Sequence, residues 1–100
     1  MARFFKDPLH DQFGTWPVAY IPYGGADLGE IEAVARAVGD GGDDAFHEAW
    51  VAAAERFAAG AQEALDAGRR ATARELFLRA SCFFAASYHP LYGEPVDQRL

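Results

Sequence analysis

The chain has 100 residues, of which 51% are hydrophobic and 14% aromatic, and a formal net charge of −6. Such content supplies a packed core and excludes a disordered chain, and an acidic balance without a basic stripe argues against a nucleic-acid binder. Alanine is abundant and β-branched residues are scarce, which favours helix over sheet. This length is one small domain or part of a larger one.

Residues 1–25 read as an irregular aromatic arm, in which Phe4, Phe5, Phe13, Trp16, Tyr20 and Tyr23 alternate with Pro8, Pro17 and Pro22. Proline at this density interrupts helices and holds its preceding residue extended, so the arm is expected to lie over an apolar surface by its rings. Val18–Ile21 has room for one short strand before Pro22 stops it. A ligand-binding role for the aromatic cluster is the alternative to packing. The first residues contain no long apolar stretch, so neither a signal peptide nor a membrane anchor is expected, and the cytoplasm is the default location.

Gly24-Gly25 is a turn signal. Asp27 followed by Glu30 has the form of a capping box, and Leu28, Ile31, Val34, Ala35 and Val38 share one helical face, which predicts a first helix over 28–38. Gly39 supplies its stop. The acidic run that follows, Gly39 to Asp44, superficially resembles a calcium loop. Such a loop closes with a Glu at its twelfth position, and counting from Asp40 that position is Val51. The run is therefore read as a connection, with Asp43 as N-cap and Asp44 in the first turn.

A second helix is predicted over 44–67, because Phe46, Trp50, Ala53, Phe57, Ala61, Ala64 and Leu65 step by threes and fours. Gly60 reads as a close-packing position and His47 as a surface residue. The histidines (His10, His47 and His89) are too scattered to predict a metal site, and no cofactor is expected. Gly68 ends this helix, and Arg69 and Arg70 sit favourably at its negative end. Thr72 and Glu75 form a second capping box, so a third helix is predicted over 72–88, with a start at Arg70 as the alternative. Ala73, Leu76, Phe77, Ala80, Phe83, Phe84 and Tyr88 form its apolar stripe. Cys82, the sole cysteine, excludes an intrachain disulfide and reads as a small buried hydrophobe. His89-Pro90 stops the helix, and residues 90–100 read as a connection into something further on.

The expected architecture is all-α: an arm over 1–25, a helical domain over 26–89 whose last two helices form an antiparallel hairpin, and a tail over 90–100. The segments GADLGEI, GDGGDDAFHEAW, AERFAAGAQEAL, AGRRATARELFLRAS and SYHPLYGEPVD together resemble the N-terminal helical cap segment of a family of α/β-hydrolases. That family is described with the esterase FrsA, 2,6-dihydroxypseudooxynicotine hydrolase and dipeptidyl aminopeptidase or acylaminoacyl peptidase-like proteins. Gly24, Asp27 and Glu30 match its first turn; Gly39, Asp40, Phe46 and Trp50 match the start of its second helix. Gly68, Ala73, Arg74 and Leu78 to Ser81 match its third. Thr72 replaces the commoner Ser, and Cys82-Phe83-Phe84 replaces a polar-Tyr-Tyr run.

The resemblance implies a non-catalytic cap that covers a downstream serine-dependent hydrolase domain, shapes the pocket for a small ester, amide or ketone substrate, and contributes to a homodimer. No Gly-x-Ser-x-Gly nucleophile elbow occurs in the chain itself. Trp50, Phe84 and Tyr88 are the candidates for lining the substrate pocket, with core packing as their competing role. A freestanding adaptor resembling a tetratricopeptide unit is the alternative function, although only one hairpin is visible where about three repeats are needed.

Overall fold

The computed structural model describes residues 4–88 and 97–99. Four α-helices account for most of them: α1 (Pro8–Gly14), α2 (Leu28–Val38), α3 (Asp43–Asp66) and α4 (Arg70–Ser87), with a 3-10 run at Trp16–Tyr23 between α1 and α2. No strand occurs among the described residues. The all-α reading holds, and α2 spans the predicted residues. His89 and, of the predicted tail, residues 90–96 and Leu100 lie outside the described residues.

The arm departs from expectation. It is helical rather than irregular, and Val18–Ile21 belongs to the 3-10 run rather than to a strand. Pro8 and Pro17 do not oppose this, and Pro22 lies inside the 3-10 run near its end. Pro8 occupies the first turn of α1, where an amide hydrogen has no intrahelical partner, and Pro17 does the same in the 3-10 run. Asp7 is the N-cap of α1: its carboxylate accepts from the amides of Leu9 at 2.8 Å and His10 at 3.2 Å. Those two bonds, His10 first, hold the Asp7 carboxyl below the usual carboxylate range. Asp11 then turns the chain back by accepting from the amides of Phe4 and Phe5, at 2.8 and 3.0 Å.

In α2 the Asp27 cap forms as read, accepting from Gly29 N–H at 2.9 Å and Glu30 N–H at 3.4 Å. The expected cap at Asp43 does not form. Gly42 is the N-cap of α3 without a side-chain bond, and Asp43 is its first helical residue. Likewise α4 starts at Arg70 with no side-chain cap, so the Thr72–Glu75 box is not used. The α3–α4 turn explains the earlier start. Gly68, at φ 79°, donates to Leu65 O at 3.0 Å and Arg69 to Ala64 O at 2.8 Å, a Schellman pairing that turns the chain at once into α4.

The hairpin of α3 and α4 is the principal helix–helix contact, and α2 packs on α3. It runs antiparallel: His47 near the start of α3 meets Ser87 at the end of α4, and Gly60 meets Leu76. Buried alanines line the hairpin, Ala53, Ala54, Ala61 and Ala64 on α3 and Ala73 and Ala80 on α4. At one end Phe5, Phe46, Trp50 and Phe83 join Ile31, Val34 and Val38 of α2 in one core.

Gly60 is not required by this packing. A Cβ there would lie 3.5 Å from Leu76 Cδ1, an ordinary contact. Gly60→Ala is therefore expected to stabilise the chain by about 1 kcal/mol through helix propensity alone, and to raise Tm by about 4 °C in a thermal circular-dichroism scan.

Candidate functional site

The first half of α3 and the last two turns of α4 converge on the aromatic end of the hairpin. Trp50 has no solvent-exposed surface. Its ring lies edge-on to Phe83 at 4.9 Å and beside Phe46 and Phe5 at 6.0 and 6.1 Å. Its indole Nε1 is buried and has no hydrogen-bond partner among the described residues. Phe84 is half-buried and packs on the outside of that core. Tyr88, also half-buried, stands 5.6 Å from the ring of His47. The three candidate pocket residues thus occupy one end of the hairpin at graded depth: Trp50 inside, Phe84 and Tyr88 at the margin.

His47 is buried rather than a surface residue. The signal was present in the spacing, since His47, Trp50 and Ala54 share the buried face at steps of three and four. Its Nδ1 lies 3.0 Å from Ser87 O, and because a carbonyl only accepts, Nδ1 carries the proton. The Ser87 hydroxyl turns away and donates to Phe84 O at 2.6 Å. This pair therefore closes the helix end and does not present an activated hydroxyl to a base.

A second histidine, His10, is also buried, which its place in the sequence does not reveal. His10 is 1% exposed; its Nε2 lies 2.7 Å from Asp43 Oδ1, and its ring packs on Phe46 at 4.7 Å. The neighbouring Asp44 takes Arg99 at 2.7 Å, and Arg99 also binds Asp97. The Arg99 guanidinium holds the Asp97 carboxyl well below the usual range. Consecutive aspartates in the first turn of α3 thereby fasten the arm on one side and residues 97–99 on the other. Acids there also complement the positive end of the helix dipole. Among the described residues no group of three His, Cys, Asp or Glu side chains gathers as metal ligands would.

A groove of about 210 Å³ opens where the 3-10 run crosses α4. Its walls include Trp16 and Tyr20 on one side and Leu78, Ser81, Cys82 and Ala85 on the other. Cys82 is half-buried here rather than enclosed, and its burial pushes the thiol pKa up, which keeps it protonated. No helix among the described residues is long and apolar enough to cross a membrane.

The chain's matches among curated proteins fit a fragment of an α/β-hydrolase. Hydrolase acrC of Aspergillus aculeatus is 41% identical over 101 residues, which cover 100% of this chain and 23% of that protein. Hydrolyase poxO of Penicillium oxalicum is 32% identical over 95% of this chain and 23% of its own length. Alpha/beta hydrolase xenA of Xenoacremonium sinensis is 38% identical over 64% of this chain and 15% of its own. The chain spans less than a quarter of the length of these relatives. No family model and no solved structure matches it.

Proposed function

We propose that this chain is the helical cap segment of a serine-dependent α/β-hydrolase of the FrsA-like kind. The observation that carries the reading is the match itself: nearly the whole chain aligns with under a quarter of several hydrolases, while among the described residues the buried His47 and Ser87 do not form a nucleophile-base pair. In this reading the catalytic serine, its base and the oxyanion hole belong to a hydrolase domain downstream, and the cap excludes water and shapes the pocket. Tyr88 and Phe84, at the margin of the aromatic end, touch a small ester, amide or ketone substrate, and Trp50 backs the pocket from the core on which Phe84 packs. The cap also contributes to contacts between two copies, and the assembled enzyme works in the cytoplasm.

A segment exchange tests this. The isolated chain is expected to leave a p-nitrophenyl ester unhydrolysed. Removing the matching segment from the Aspergillus aculeatus hydrolase should abolish turnover of that ester, and inserting this chain in its place should restore a measurable fraction. A segment-deleted hydrolase that stays folded and keeps full turnover would sink the reading.

A further inference from the structure

We propose that the groove between the 3-10 run and α4 binds a neutral, flat, largely apolar small molecule. The inference goes beyond the cap reading and does not depend on it, because it concerns a site that this chain forms alone. Helix α4 presents two uncharged faces. One, through Ala73, Ala80, Phe83 and Ala86, is buried against α3. The other runs through Leu78, Ser81, Cys82 and Ala85, spaced by three and four, and faces outward into the groove. Opposite it stand Trp16 and Tyr20, whose rings pair at 4.8 Å with a 57° tilt and make a firm aromatic wall.

Charge selects the class of occupant. Among the described residues no charged side chain lines this groove. A carboxylate or ammonium entering it would lose hydration and meet no opposite charge, whereas a neutral ring would lose little and gain contact with two aromatic faces. Polar groups are few: the Tyr20 phenol, the Ser81 hydroxyl and the thiol of Cys82. They suit a ring with one or two hydroxyl or carbonyl substituents. The volume of about 210 Å³ lies below the ~300 Å³ of the smallest drug-sized pockets, which sets the scale at one fused ring pair.

The test uses the full chain with 1-naphthol as the neutral probe and 1-naphthoate as its charged counterpart. Naphthol is expected to bind saturably at one site and to slow alkylation of Cys82 several-fold at saturation. Naphthoate should bind at least about tenfold more weakly. Leu78→Glu places a charge on the half-exposed wall and should weaken naphthol by about tenfold without altering the circular-dichroism spectrum; Ala85→Leu should do the same by filling the groove. Non-saturable binding, equal affinity for the two probes, or naphthol binding unchanged in both variants would overturn the proposal. So would Cys82 protection that rises with protein concentration in the absence of naphthol, which would mean that a second copy covers the groove.

Discussion

Trp50→Ala is expected to remove about 3–5 kcal/mol of stability, comparable to the whole margin of many domains of this size. The indole is fully enclosed and touches rings from three parts of the chain: Phe5 in the arm, Phe46 on its own helix and Phe83 on α4. No neighbouring element can close over the cavity without breaking one of these contacts. Trp50→Phe should behave differently. The buried Nε1–H has no partner among the described residues, so replacing it orphans no acceptor and removes a desolvated donor. The smaller ring still leaves a cavity, but the loss should be only about 1–2.5 kcal/mol, well short of that for alanine. Urea unfolding of the three proteins measures both values. If Trp50→Phe proves as damaging as Trp50→Ala, the indole N–H has a hydrogen-bond partner, and Trp50 is a polar anchor rather than a filler.

What was legible in the sequence follows from how locally each feature is determined. The α3–α4 hairpin was legible because Phe46, Trp50, Ala53 and Ala61 repeat at helical spacing and Gly68 marks the turn with a residue suited to positive φ. Helix starts were less legible. Asp43 and Thr72 have good capping side chains, but Asp43 turns to His10, thirty-three residues away, and the tight turn at Gly68 begins α4 before Thr72 is reached. The arm's helices were not legible from proline content, because a proline breaks or starts a helix according to its position; Asp7-Pro8 is an N-cap followed by a first-turn proline, which starts one. His47 could have been placed by its period with Trp50. The burial of His10 could not, because it depends on a contact between the arm and α3. Nor could the groove, since Trp16 and Leu78 meet only through tertiary folding.

Gly14→Ala tests that arm, and the sign of its effect is the informative quantity. Gly14 is the last residue of α1 and its φ is not in the left-handed region, so the backbone itself accepts alanine. Were the arm loosely attached, helix propensity would make the substitution neutral or stabilising by up to about 1 kcal/mol. In the structure the new Cβ would clash with Cε2 of the Phe5 ring. Phe5 is 2% exposed and held between Phe46 at 5.4 Å and Trp50 at 6.1 Å, so its ring has nowhere to go. Overpacking of this kind costs about 1–3 kcal/mol, and Gly14→Ala is expected to destabilise by that amount. Amide exchange should accelerate in residues 4–14 more than in the hairpin, since the arm can release while α3 and α4 stay paired. Phe5→Leu supplies the control. Its smaller, more flexible side chain leaves room for the methyl group, so the Phe5→Leu/Gly14→Ala pair should cost at least about 0.5 kcal/mol less than the sum of the single changes. Additive costs would place the damage elsewhere, and a stabilising Gly14→Ala would detach the arm from the core altogether.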